Sequence, residues 1–125
     1  MKSKILFVIC LLFGLMFINA GLNKIFNYIP IPEGLPDDLK NMNAAMLEIG
    51  WLIPMIAIAE IVGGILIIIP KLRALGALII FPIMIGIFLV HLLIDQSGLI
   101  LSIILFAILI WVMIENRAKY LPLIR

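Results

Sequence analysis

Charge is what this sequence has least of. Only 13% of its 125 residues are Asp, Glu, Lys or Arg, while 66% are hydrophobic and the mean hydropathy is +1.34. Ordinary globular chains carry about 25% charged and about 45–50% apolar residues. A water-soluble chain of this length buries only about two-thirds of the surface it exposes when unfolded, too little to hide so much apolar side chain. A soluble domain is therefore excluded, and the solvent for most of this protein is the lipid bilayer. Cysteine is also scarce. The single Cys10 lies inside an apolar run, which rules out an intramolecular disulfide framework and a cysteine-rich metal site. The one histidine, His91, leaves a metal centre or a bis-histidine haem short of ligands, so no metal is expected. A net charge of +2, dispersed along the chain, is no footprint for nucleic acid.

Four apolar runs are present, at about residues 5–22, 49–69, 74–94 and 99–114. Crossing about 30 Å of hydrocarbon takes roughly 20 helical residues, so the second and third runs span comfortably. The first and fourth are shorter and need flanking residues or a thinner bilayer. Lipid offers no partner to a backbone N–H or C=O, so such runs are helices rather than strands. The first run also has a basic start (Lys2, Lys4) and an apolar core like a signal peptide, but Ile18 stands where a cleavage site wants a small residue. It is read as a retained first span. The expected fold is all-α: a polytopic four-helix transmembrane antiparallel bundle, forming a single membrane domain over residues 1–125.

Basic residues set the expected orientation. With four crossings, Lys2, Lys4, Lys71, Arg73, Arg117, Lys119 and Arg125 share one side, against Lys24 and Lys40 on the other. Positive residues favour the cytoplasm, so both termini are expected there. The turns at 70–73 and 95–98 are short, which makes the last three spans sequential antiparallel neighbours.

The one long connection, at 23–48, then faces outward. Its prolines at 30, 32 and 36 exclude a helix in its first half. After Pro36, Asp37 is a good N-cap and Leu39, Met42, Met46 and Ile49 recur at helical spacing. A short amphipathic helix is expected there, lying on the outer surface or running straight into the second span, and serving as a connector or as a lid. Tyr28 and Trp51 near the outer boundary, with Trp111 and Tyr120 near the inner one, suit interfacial anchoring. Gly21, Gly63, Gly64, Gly76 and Gly86 suit close helix packing. Pro54 and Pro82 are expected to kink the second and third spans.

The informative residues are polar ones that lipid should exclude. Glu60 falls near the middle of the second span, where an acidic side chain costs at least ~2.5 kcal/mol. It is either hydrogen-bonded helix glue or a proton-handling, ligand-binding group. His91 and Asp95 are four residues apart on one helix face, so the carboxylate can orient the imidazole. They form either a ligand-facing pair or a bland interfacial one. Asn19 and Asn23 also share a face, with Lys24 beside them. By axial rise alone Asn19 lies about 6 Å above Glu60 and His91 about 10 Å above it, with Lys24 higher still. A direct Lys24–Glu60 pair therefore needs a tilted helix or a long reach. The expectation is a polar funnel of Asn19, Asn23, Lys24, Glu60, His91 and Asp95, opening outward and covered in part by residues 30–46.

The segment GLMFINAGLNKIF (residues 14–26), with its Phe, Ala-Gly and Lys, resembles the end of the first helix in DoxX-type membrane proteins. EIVGGIL (60–66) resembles that family's second-helix signature, and the basic turn KLR (71–73) and the polar end FLVH (88–91) also fit. Carried over, the family's marked positions are Ala20, Gly21, Lys24, Glu60, Gly63 and Gly64. The resemblance implies a four-helix bundle in the bacterial inner membrane. The family takes its name from a subunit linked to a terminal quinol oxidase and to thiosulfate:quinone oxidoreductase. It therefore implies a quinone-binding or redox-accessory subunit, with other membrane redox subunits or a homo-oligomer as partners besides the lipid bilayer. No flavin, haem or iron–sulfur motif is present, so the chain is not expected to be a stand-alone redox enzyme. Two other classes stay open: a small proton-coupled transporter, and an assembly or scaffold subunit without a ligand.

Orientation yields the first test. Reporter fusions after Arg125 and within 70–73 should read cytoplasmic, and fusions within 33–40 external. An external C-terminus would overturn the four-crossing arrangement.

Overall fold

The protein is described by a computed structural model covering residues 2–28, 34–35, 37–94 and 96–124. Five helices form: α1 (Lys2–Phe26), α2 (Asp37–Glu48), α3 (Leu52–Ile68), α4 (Arg73–Leu93) and α5 (Leu99–Glu115). Short 3-10 turns at Gln96–Gly98, Arg117–Lys119 and Leu121–Leu123 complete the described residues, which contain no strand. Three helices are long and apolar enough to cross a membrane: Lys4–Phe26, Arg73–Leu93, and α5 with its leading turn, Gln96–Glu115. A fourth crossing exists if α2 and α3, bent 94° from each other, count as one broken span.

The first span is longer than its apolar run. Helix α1 runs past Leu22 through Asn23 and Lys24 to Phe26, and ends where Asn27 takes a left-handed backbone (φ 54°) and donates its N–H to the Asn23 carbonyl at 2.6 Å. Asparagine tolerates that conformation, which is the common way to stop a helix. At 1.5 Å per residue α1 is about 37 Å long, so no bilayer thinning is needed. The second apolar run, expected to span by itself, forms a shorter helix, α3, starting at Leu52 rather than 49, and α2 does not run straight into it. Pro54 explains both differences. Its ring would clash with the carbonyl of residue 50 if the helix continued backward, whereas in the first turn its missing N–H costs nothing. Pro54 thus sets a corner instead of a kink.

The helices pack in series: α1 on α3 most extensively, then α3 on α4 and α4 on α5, with a slight contact from α5 back to α1. One core draws on all four, with Cys10, Phe13 and Phe17 from α1, Ile67 from α3, Ala77, Ile80 and Met84 from α4, and Leu109 and Val112 from α5. The Phe106 ring meets Phe81 and Phe88 edge-on at 5.9 and 5.8 Å, a favoured aromatic geometry that ties α5 to α4.

Glycines decide how closely α3 is flanked. A Cβ built on Gly14 would stand 2.5 Å from the Gly64 carbonyl oxygen, one on Gly64 2.6 Å from the Gly14 carbonyl oxygen, and one on Gly21 2.6 Å from that of Ala57. Gly63, the next residue, faces the other way, against Ile80 of α4, while a Cβ on Gly76 would meet the Ile67 nitrogen at 2.5 Å. The adjacent pair Gly63-Gly64 therefore lets α3 approach a neighbour on each side. Gly86 is different. Nothing lies within 4 Å of its built Cβ, so the expectation that it packs helices together is corrected.

At the basic end of the bundle, Arg73 is 5% exposed instead of facing solvent. Its guanidinium donates to the Ile67 carbonyl (Nε, 2.9 Å) and the Ile68 carbonyl (Nη2, 3.4 Å), closing the free carbonyls at the end of α3. Beyond α5 the tail hooks back: the Tyr120 hydroxyl donates to the Ala74 carbonyl at 2.7 Å, and Lys119 Nζ to the Lys71 carbonyl at 3.1 Å.

Overpacking a tight contact costs about 1–3 kcal/mol, so Gly64→Ala should destabilise the protein by that amount. Gly86→Ala should be near neutral. Denaturation in mixed micelles checks both, and equal loss in the two variants would contradict the glycine contacts described here.

Candidate functional site

Glu60 sits halfway along α3 and is 2% exposed. Its carboxylate Oε1 lies 2.6 Å from Lys24 Nζ on α1, an ion pair by distance although not aligned as a hydrogen bond, and Oε1 has no hydrogen-bond partner among the described residues. The helix directions explain the contact. In an α-helix every Cα–Cβ bond leans toward the N-terminus. The two helices run antiparallel, so Lys24 leans down toward Glu60 while Glu60 leans up toward Lys24. The Gly21–Ala57 contact holds the backbones together between them. Counted from that level, the two residues are about 9 Å apart along the axis, a span a lysine stem and a glutamate can close. The sequence estimate overstated the distance because the register of α1 on α3, set by the Gly21–Ala57 contact, brings Lys24 closer to the level of Glu60.

The pair opens into a cavity of about 530 Å³ between α3 and α4. Leu52, Ile53 and Ile56 form one wall, and Pro82, Ile83, Gly86, Ile87 and Val90 the facing one, with Met42, Asn43 and Met46 of α2 contributing the remainder. Among the described residues that line it, Lys24, Glu60 and Asn43 are those with polar side chains. The α2 helix has no buried residue of its own and rests with this face toward the cavity. Pro82 adds a chemical detail, since without its N–H the helix leaves the Leu78 carbonyl without its usual donor.

Three other funnel residues, Asn19, Asn23 and His91, do not line this site. Asn19 is exposed on α1, where the Tyr28 hydroxyl donates to its backbone carbonyl at 3.0 Å and contacts its side-chain oxygen. Asn23 is half-buried above it and does not line the cavity. The His91 ring lies against Gly98 in the turn before α5, and it is Val90, one residue and about 100° away around the helix, that lines the cavity. Asp95 lies outside the described residues, as do residues 29–33 and 36 of the outer connection. Of the five funnel residues described, Lys24 and Glu60 come together as a charge pair on the wall of a largely apolar chamber, without Asn19, Asn23 or His91. Sequence reasoning missed the chamber's walls. The periodicity of Met42 and Met46 was visible, but what that face would cover was not, and Gly86 was assigned to helix packing although it widens the cavity.

The DoxX family model matches residues 5–92, a stretch that holds α2, α3 and nearly all of α1 and α4, with Lys24 and Glu60 inside it. The chain belongs to the DoxX family. No curated protein and no solved structure gives a significant match. The family positions carried by the sequence resemblance fall together in this DoxX protein. Lys24 and Glu60 touch, Gly21 and Gly64 meet α3 and α1 respectively, and Gly63 meets α4.

Breaking a buried ion pair by removing one partner costs about 3–5 kcal/mol, because the other charge is stranded. Lys24→Met should show a loss of that order, and Lys24→Met combined with Glu60→Gln should recover most of it. A double-mutant unfolding cycle measures the coupling, and additive losses would show the pair to be without energetic consequence.

Proposed function

We propose that this DoxX-family chain is a multi-pass protein of the bacterial inner membrane, with both termini cytoplasmic, that binds a quinone-class ligand as an accessory subunit of a membrane redox complex. The observation that carries this reading is a single charged pair, Lys24–Glu60, on the wall of a largely apolar cavity of about 530 Å³. That volume lies in the range of sites for ligands of this size, and such sites combine apolar walls with a few convergent polar groups.

The residues fit such a ligand. Lys24 is a hydrogen-bond donor for a ring carbonyl oxygen, Ile53, Ile56, Ile83 and Ile87 flank the ring, and Met42 and Met46 adapt to substituents because unbranched thioethers repack readily. A bound quinone supplies the capacity to carry an electron pair, with the electrons coming from a partner subunit. Of the two protons that accompany the electron pair, Glu60 would take up or release one, the other exchanging with solvent, and Lys24 holds its carboxylate in place. His91 has no part in this version of the site. Other membrane redox subunits are the partners this role requires.

Titrating a short-chain quinone into the protein in nanodiscs, read by Trp51 fluorescence at the outer corner of α3, tests the proposal. Saturable binding is expected, weakened at least about tenfold by Lys24→Met through loss of one charged hydrogen bond. Gly86→Leu, which sends a side chain into the cavity from a position with room for it, should abolish binding while leaving the fold intact. Absence of saturable binding to the wild-type protein, or binding indifferent to Gly86→Leu, would overturn the reading.

A further inference from the structure

A second cavity lies at the other end of the bundle, where the tail hooks under the turn between α3 and α4. It has a volume of about 270 Å³ and is lined by Lys71, Lys119, Tyr120 and a stripe of leucines. Lys119 Nζ gives one proton to the Lys71 carbonyl at 3.1 Å, which fixes its ammonium beside the Lys71 backbone. An ammonium has three donors, so two remain for another partner. The Tyr120 hydroxyl gives its proton to the Ala74 carbonyl, holding the ring as a wall. Burial pushes the Tyr120 phenol above its ordinary value, so it stays neutral and adds no negative charge. Among the described residues, no acidic side chain lines the cavity.

Below the lysines the surface changes character. Leu72, Leu75 and Leu78 recur every three residues along one exposed face of α4, and this stripe runs from the cavity toward the middle of the helix. In a chain embedded in lipid, whatever lies along that stripe is hydrocarbon. Two cations at the membrane boundary directly above an apolar stripe match a molecule with a negative head and an acyl chain.

We propose that this cavity binds one anionic phospholipid, with its phosphate between Lys71 and Lys119 and an acyl chain along Leu72, Leu75 and Leu78. Basic pockets between transmembrane helices recognise such head groups, each lysine contributing enough to change affinity about fivefold. A zwitterionic lipid gains less, because its own ammonium competes with the lysines for the phosphate. The site is independent of the Lys24–Glu60 cavity, which lies at the far end of α4, and it stands whether or not a quinone binds there.

Nanodiscs of equimolar phosphatidylglycerol and phosphatidylcholine provide the test. After gentle extraction, native mass spectrometry should find phosphatidylglycerol retained in preference to phosphatidylcholine. Lys71→Gln together with Lys119→Gln should lower that preference about thirtyfold, while Lys40→Gln at the other end leaves it unchanged. Excess inorganic phosphate should not displace the lipid, since phosphate alone lacks the leucine contacts. Should the double variant fail to fold, the wild-type preference must still fall with rising salt, as for any partly exposed charge contact. Equal retention of both lipids, a preference that survives both substitutions or is insensitive to salt, or displacement by phosphate alone would each overturn the proposal.

Discussion

The backbone approach of α1 to α3 is the contact on which the rest of this structure depends. In lipid, helices gain nothing from hiding apolar surface from one another, so association rests on close van der Waals packing. Gly14, Gly21 and Gly64 remove the side chains that would hold the two helices apart. Without that approach, Lys24 could not reach Glu60, and a carboxylate at the middle of an apolar helix would face hydrocarbon with no counter-charge. The glycine contact and the charge pair are therefore one device. The small residues bring the backbones together, and the antiparallel leanings of the side chains close the remaining distance.

This device also explains why α3 can be both short and central. It has 17 residues, about 25 Å, and is flanked tightly on two sides. Gly64 admits α1 and Gly63 admits α4, so consecutive residues do opposite work. Where the helix approaches its neighbours less closely, between its first half and the second half of α4, a chamber remains instead of a seam. Gly86, with open space around it, and Pro82 lie on the wall of that chamber. The cavity follows from where glycine is matched by a partner backbone and where it is not.

Much of this architecture was legible in the residues. The four apolar runs gave the main helices to within a few residues, because a 20-residue apolar stretch has few alternatives in lipid. Glu60 stood out by the same reasoning, since its cost in lipid requires a compensating arrangement. The extent of α1 was not legible, because its last turn carries Asn23 and Lys24, polar residues that a hydropathy reading assigns to the loop. Partners of the polar residues were not legible either. Asn19 meets Tyr28, which lies beyond the end of its helix, and the His91 ring lies against the turn that follows its own helix. A polar residue in lipid must be satisfied, but the sequence does not say by which neighbour. That gap is what made a six-residue funnel a reasonable expectation and a two-residue pair the outcome.

Arg73 carries the same logic to the other end of α3. The basic turn between α3 and α4 suggests two solvent-facing cations, and Lys71 does have an exposed side chain. Arg73 instead turns inward, because the last carbonyls of α3 have no intrahelical donors and are otherwise unsatisfied at the membrane boundary. A planar guanidinium with five N–H groups suits two neighbouring carbonyls better than a lysine, whose donors radiate from one point. Helix α3 is thus met by a cation from α1 at its middle and by a cation from α4 at its end, each reaching a polar group that lipid would leave bare. A short apolar helix stays embedded because its two polar liabilities are answered by its two neighbours, the same helices that its glycines admit.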